Sequence, residues 1–161
     1  MASYEILKTS ADQKLKVADH LLSTTYSLVK EPKLLVSVIE NLYQALDSAI
    51  NAVLEYEKEL KNIGVYTNSF EGRLEMFRRK VMPKHDLNHD LIDFLLELKS
   101  TLEEHKKSSV EFSRKEKFVI TDNDYNLKTL SFDDVKKRLV QTKHYIDELF
   151  KITKKYDVKA V

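Results

Sequence analysis

The sequence contains no cysteine and no tryptophan, and it has only two glycines and two prolines among its 161 residues. The absence of cysteine excludes disulfide bonds, thiolate metal ligands and cysteine nucleophiles, and it is typical of a reducing compartment. Because Gly64 and Gly72 are the only glycines, no glycine-rich loop can cradle a phosphate, which excludes the P-loop, kinase and dinucleotide-binding classes. So few turn residues also disfavour a sheet-rich fold and favour long helices.

Long apolar runs and a strong net charge are missing as well. No stretch approaches the roughly 20 apolar residues that cross a bilayer, and residues 1–8 contain no apolar run with a small-residue cleavage site. The net charge is only +1, so attraction to nucleic acid must come from local basic patches. We therefore expect a single cytoplasmic domain over residues 1–161, with no membrane association.

Apolar residues recur every three or four positions along most of the chain, which is the pattern of amphipathic helices. The second predicted helix has the broadest apolar face, and its small residues Ala45, Ala49 and Ala52 would let a neighbouring helix approach closely. We expect it at the centre, and we expect Pro83 to end the third helix. The predicted helices cover residues 3–30, 32–61, 69–81, 87–112 and the segment from 131 onward.

Residues 117–130 break the helical pattern. Phe118, Val119 and Ile120 are aromatic or β-branched, and the segment 122–124 (Asp-Asn-Asp) is a turn cluster. Ser131 is a good N-cap for the helix that follows. The expected fold is therefore an all-α bundle of about five helices with a short irregular or hairpin excursion near 117–130.

The histidines do not form a metal-binding pattern. None of the five is preceded by a glutamate three residues earlier, as a di-iron carboxylate bundle requires. His85 and His89 are four residues apart, a spacing that can chelate a metal on a helix, but Asp86 stands where the zincin pattern needs a glutamate. We predict no metal site and no cofactor.

Basic residues concentrate at the ends of the third and fourth predicted helices, with aromatic residues such as Phe77 and Phe112 among them. Such side chains can neutralise phosphates while an aromatic ring stacks on a base. The alternative is a solvated face balanced by the 26 acidic residues. The candidate nucleic-acid-binding residues are Arg78, Arg79, Lys80, Lys84, Lys106, Lys107, Arg114 and Lys115.

The last predicted helix contains an arginine, Arg138, then five residues, then His144 and Tyr145. This resembles the motif of HEPN-domain proteins, in which an arginine is followed after four to six residues by a histidine. The resemblance implies a small helical bundle, a homodimer and a metal-independent ribonuclease, with His144 assisting proton transfer and Arg138 holding the scissile phosphate. The alanine- and tyrosine-bearing segment 43–56 is similar to the family's second helix, and the segment 79–85 fits the same spacing.

Helical geometry separates Arg138 from His144. At about 100° per residue, positions six apart differ by about 240° around one continuous helix, so the two side chains do not converge. Leu139 also stands where the family often has a polar residue. We therefore predict a non-catalytic binding or assembly module, RNA-associated through its basic helix ends. A HEPN-like ribonuclease using Arg138 and His144 and a protein–protein interaction module are the alternatives.

Overall fold

The apolar repeats become five helices in the structure, a computed structural model that describes residues 3–108, 110–114, 117–121, 124 and 126–159. A small antiparallel sheet joins them, so the predicted helical bundle with a hairpin excursion is confirmed in outline. None of the described helices is long and apolar enough to cross a membrane. The elements are α1 (3–29), α2 (Leu34–Glu59), α3 (70–85), α4 (Asp90–Lys107), β1 (Val110–Arg114), β2 (Lys117–Thr121), β3 (Leu127–Ser131) and α5 (Phe132–Lys159).

Helix α2 lies at the centre of the bundle, as its broad apolar face predicts. Helices α1, α4 and α5 all pack against it. Ala45, Ala49 and Ala52 are 0% exposed, and such small side chains let neighbouring backbones come close to α2. The core therefore extends around several sides of one helix.

A π-helical turn interrupts each of α1 and α3, at Leu21–Thr25 and at Phe77–Val81. The prediction that Pro83 ends the third helix is wrong, because α3 continues through Pro83 to His85. Within the π turn the Met82 amide donates to the carbonyl of Phe77, five residues before it. A proline ring normally clashes with the carbonyl four residues before it, and the wider turn shifts that carbonyl out of the usual position.

Three helix ends are closed by residues with left-handed backbone conformation that are not glycine. The φ angles are 51° at Lys30, 61° at Lys61 and 52° at Asp86. At the end of α1, the Lys30 amide donates to the carbonyl of Tyr26 at 2.7 Å. This is the geometry that glycine usually supplies after a helix, and it explains how a chain with two glycines ends its helices sharply.

The sheet has the order β1-β2-β3, with both pairs antiparallel. The predicted hairpin corresponds to β2 and β3, although the turn residues Asp122 and Asn123 lie outside the described residues. The prediction that the fourth helix reaches Phe112 is wrong, because α4 ends at Lys107 and Phe112 lies on β1. The helical apolar face fades after Leu102, so further turns would bury little, whereas pairing with β2 satisfies the backbone of β1.

One face of the sheet packs on the bundle. Phe118, Ile120 and Leu130 point into the core and are at most 4% exposed. On the same face Glu111 Oε2 lies 2.5 Å from Nδ1 of His105 on α4. Because side chains alternate along a strand, the remaining positions form a second face, on which Val119 and Thr121 are also buried whereas Phe112, Arg114 and Lys117 are exposed.

Candidate nucleic-acid interface

The outer face of the sheet presents an aromatic ring beside two cations. Arg114 on β1 pairs with Lys117 on β2, and Phe112 pairs with Val119 in the next position on the same face. Phe112 is 42% exposed, although it is a large apolar residue. Arg114 and Lys117 are both exposed, while Val119 is buried. We call Phe112, Arg114, Lys117 and Val119 the outer face.

Two like charges directly opposite each other destabilise an antiparallel pair. No acidic side chain in the described part of the chain forms an ion pair with Arg114 or Lys117. The Cβ atoms of residues directly opposite each other are about 5 Å apart. Phe112 is two residues further along β1 than Arg114, which is a distance of about 7 Å along the strand. An anion next to an aromatic surface would therefore meet both cations and a flat ring, and it would relieve the repulsion between the cations.

Two more residues of the predicted basic set lie near the other end of β1. Ser108 Oγ donates to the carbonyl of Thr121 at 2.9 Å, so the end of α4 lies against the sheet. Lys106 and Lys107 precede Ser108 and are exposed. The structure thus gathers Lys106, Lys107 and Arg114 around one short strand. Lys115, the fourth predicted member of this group, lies outside the described residues.

The other predicted basic residues lie on α3. Arg78, Arg79 and Lys80 are exposed on its π turn. Lys84 is already engaged, because its Nζ donates to Glu57 Oε2 at 2.9 Å. These four residues lie in the second half of α3, which precedes α4.

The two basic groups do not form one surface. Only residues 86–89 connect the end of α3 to the start of α4, and Nζ of Lys99 on α4 lies 3.6 Å from the ring centroid of Phe70 at the other end of α3, so the two helices run antiparallel. Arg78 and Lys107 are each eight residues further along, in opposite directions. At 1.5 Å per residue they are about 24 Å apart along the helix axes.

Arg138 and His144, the predicted catalytic pair, each contact a different acid. Arg138 Nη2 lies 2.5 Å from Glu97 Oε1 on α4, and its Nη1 donates to the carbonyl of Asp134 at 3.1 Å. His144 Nε2 lies 3.1 Å from Glu148 Oε1, and 67% of the His144 side chain is exposed. Helix α5 is continuous between them. His144 therefore lies on the polar face, as predicted, while Arg138 is turned towards α4.

A polar stripe on the central helix was not predicted from the sequence. Tyr43, Asp47, Asn51 and Glu55 are half-buried and spaced by four residues, so they share one face of α2. Arg73 from α3 meets this polar stripe, with Nη2 at 3.5 Å from Asp47 Oδ2. The four-residue spacing can be read from the sequence, but the contacts of these residues with other helices and loops cannot.

Burial dominates the ionisation of this polar stripe. It raises the pKa of Asp47 above its usual range, and the nearby Arg73 guanidinium only partly offsets the effect. Burial and the Asp47 carboxylate raise the pKa of Tyr43 to about 12. Burial and the hydrogen bond to Glu55 raise the pKa of Tyr66, which belongs to the loop before α3. These groups therefore lie in a poorly solvated polar environment.

The described residues contain no group of three or more histidine, aspartate or glutamate side chains that could hold a metal ion. No family model, no curated protein and no solved structure matches the chain.

Proposed function

We propose that this protein is a non-catalytic binding module that holds a short single-stranded RNA segment on the outer face of its sheet. The observation that carries the proposal is the cross-strand pair of Arg114 and Lys117, one pleat away from the exposed ring of Phe112. The two cations contact a phosphate and the ring stacks on the adjacent base. Exposed aromatic residues on a sheet surrounded by basic residues are a common means of binding unpaired bases.

The acids around the sheet are largely engaged elsewhere. Glu111 is next to His105, and Glu104 Oε2 lies 3.4 Å from Nζ of Lys128. The exposed cations Arg114, Lys117, Lys106 and Lys107 are therefore not cancelled by these carboxylates. Positive charge at both ends of β1 suits a phosphodiester chain that runs along the strand.

A protein partner is the alternative that the same surface allows. In the described part of the chain β1 pairs with β2 alone, and an extended peptide can add to such an edge through its backbone. This mode needs backbone hydrogen bonds and does not require two cations opposite each other. The pair of Arg114 and Lys117 therefore favours RNA.

Fluorescence anisotropy with a labelled single-stranded RNA tests the proposal. Phe112→Ala should remove one stacking contact and weaken binding by about 1–3 kcal/mol. The double variant Arg114→Glu with Lys117→Glu should abolish binding and leave the helical circular dichroism unchanged. Wild-type affinity should fall steeply between about 50 mM and about 200 mM salt.

The matched control reverses two charges on the other basic group, in the double variant Arg78→Glu with Arg79→Glu. Because this site is far from β1, its RNA affinity should stay close to that of the wild type. An equal loss in both double variants would show that binding follows overall charge and not the outer face. No binding by the wild type at low salt would end the RNA proposal and leave the protein-partner alternative.

A further inference from the structure

Strand β1 forms one edge of the sheet. Among the described residues it pairs with β2 alone, so the backbone groups on its other side have no strand partner there. In an antiparallel sheet, alternate residues of a strand direct both their N–H and C=O groups to the same side, so about two or three residues of β1 present both groups along this edge. Such an edge is a template for pairing with another chain unless it is covered.

A cleft of about 430 Å³ lies along this edge. Its walls include Glu111, Phe112 and Ser113 of β1 on one side, and Glu31 and Lys33 of the loop between α1 and α2 on the other. Successive side chains of a strand point to opposite faces. Because residues from both faces of β1 line the cleft, it lies beside the edge of the strand and not above either face. The loop therefore approaches the edge of β1 without filling the space next to it.

Exposed apolar side chains lie around the same edge. Phe112 is on β1 itself, and Leu28 and Val29, at the end of α1, are 81% and 63% exposed. The end of α1 is close to β1, because Ser113 Oγ donates to Glu31 Oε1 at 3.4 Å. Large apolar residues that are exposed together mark an interaction site. We call the free edge of β1 with Phe112, Leu28 and Val29 the edge surface.

The sequence of β1 is complementary to itself. When two antiparallel copies of residues 110–114 are centred on Phe112, the two Phe112 residues are opposite each other, Glu111 is opposite Ser113, and Arg114 is opposite position 110. No two like charges are opposed in this register. Centring the pair on Glu111 would oppose two carboxylates, and centring it on Arg114 would oppose two cations, which is destabilising. Centring it on Ser113 would pair only residues 112–114 of β1 with each other, so the Phe112 register is the most favourable.

We propose that the edge surface binds a second copy of this chain, with the two β1 strands antiparallel and centred on Phe112. The two sheets then become continuous through about four to six backbone hydrogen bonds. The Phe112 rings pack against each other across the two strands, as aromatic pairs do in sheets. Because β1 has only five residues, the interface is small and the dimer is weak. The inference does not rest on RNA binding, and its tests use RNA-free protein.

Sedimentation equilibrium of the wild type at up to about 100 μM should show a monomer–dimer equilibrium. Phe112→Lys opposes two like charges at the centre of the interface, so it should weaken dimerisation at least about tenfold. Leu127→Lys is the matched control, because Leu127 is another exposed apolar residue of the sheet but lies on β3; it should dimerise like the wild type. A wild type that stays monomeric would overturn the inference and leave the edge surface to a different protein. Equal weakening in both variants would overturn it as well.

Cysteine cross-linking tests the register, because the chain has no cysteine of its own. Under mild oxidation, Phe112→Cys should form a covalent dimer, since the Cβ atoms of directly opposite residues are about 4.5–5.5 Å apart and a disulfide needs about 3.5–4.5 Å. Ser113→Cys should remain largely uncrosslinked, because Ser113 is opposite Glu111 of the second copy. Equal cross-linking of the two variants, or cross-linking of Ser113→Cys alone, would overturn the pairing about Phe112. The sedimentation of the unaltered protein decides the inference even if a variant does not fold.

Discussion

Glu57 Oε1 lies 2.5 Å from Nε2 of His85, although the Glu57 side chain is only 1% exposed. The same carboxylate accepts hydrogen bonds from Lys84 at 2.9 Å and from the Asn62 side chain at 2.7 Å. These contacts join the end of α2 to the end of α3. Burial tends to raise the pKa of Glu57, but the hydrogen bonds from Lys84, His85 and Asn62 outweigh burial and hold that pKa below its ordinary value of 4.5.

Replacing Glu57 by glutamine should therefore destabilise the protein in a pH-dependent way. Glu57→Gln leaves Lys84, His85 and Asn62 without a charged acceptor, and it should cost about 1–3 kcal/mol at neutral pH. Because the folded-state pKa is lowered, the contribution of Glu57 is complete above pH 4.5 and is lost as the pH falls through the folded-state pKa. Urea unfolding of wild type and variant across this range should show the two stabilities converging in acid.

Asp47→Asn is the matched control for Glu57→Gln, because both carboxyls lie on α2 and the pKa of Asp47 is raised. A raised folded-state pKa reverses the pH dependence of stability, because the free energy of unfolding falls as the pH rises through that pKa. The Asp47→Asn variant should therefore be at least as stable as the wild type at neutral pH. If the difference in unfolding free energy between wild type and Glu57→Gln did not change with pH, the charge of Glu57 would not be what stabilises the contact between the ends of α2 and α3.

The sequence predicted those elements that are marked by a pattern within their own segment of the chain. The apolar repeats located all five helices, and Ser131 caps α5 as expected, with Oγ accepting from the Asp134 amide at 3.2 Å. Strand β1 was missed because the segment around Phe112 becomes a strand only when β2 lies beside it. The π turn at Phe77–Val81 was missed because its hydrogen bonds leave no periodic signature of their own.

The sites were harder to predict than the helices, for a related reason. The polar stripe on α2 contacts a cation only because the fold brings Arg73, which follows Asp47 by 26 residues in the chain, next to the Asp47 carboxylate. The described members of the predicted basic set are exposed, but their separation into two groups depends on the antiparallel packing of α3 and α4, which the sequence does not show. Phe112 was named among the aromatic residues, yet its place beside the pair of Arg114 and Lys117 follows from strand register alone.

Gly72 is needed because its neighbours approach it closely. A Cβ at this position would lie 2.8 Å from Cβ of Thr67 and 3.1 Å from Oγ of Ser69. Oγ of Ser69 also accepts from the Gly72 amide at 3.0 Å and caps α3. Although alanine favours a helix over glycine by about 1 kcal/mol, Gly72→Ala should lower the thermal midpoint, because the added methyl group pushes the cap away.

Gly64→Ala provides the control for Gly72→Ala. Nothing lies within 4 Å of a Cβ at Gly64, and its φ is not positive. The substitution should be neutral or stabilise the protein by about 0.4–1 kcal/mol, because it restricts the unfolded chain. If Gly72→Ala instead stabilised the protein as Gly64→Ala does, the close packing of Thr67 against α3 would be refuted.

A HEPN-like ribonuclease should cleave RNA that is incubated with the protein in EDTA, whereas the proposed binding module should leave that RNA intact. A metal-independent nuclease needs a proton donor near the leaving oxygen and a cation on the phosphate. Arg138 is bound to Glu97 and turned towards α4, whereas His144 is exposed beside Glu148. Within one chain these groups do not act on the same phosphate, so we expect structured RNA to remain intact.

The two variants should also differ in stability. His144→Ala removes an exposed side chain and should change the unfolding free energy by less than about 0.5 kcal/mol. Arg138→Ala removes the contact with the half-exposed Glu97 and should cost about 0.2–1 kcal/mol. Cleavage by the wild type that disappears in both variants would instead establish the ribonuclease. Since α5 is unbroken between the two residues, such an activity would require Arg138 and His144 from two copies of the chain to meet across a homodimer interface.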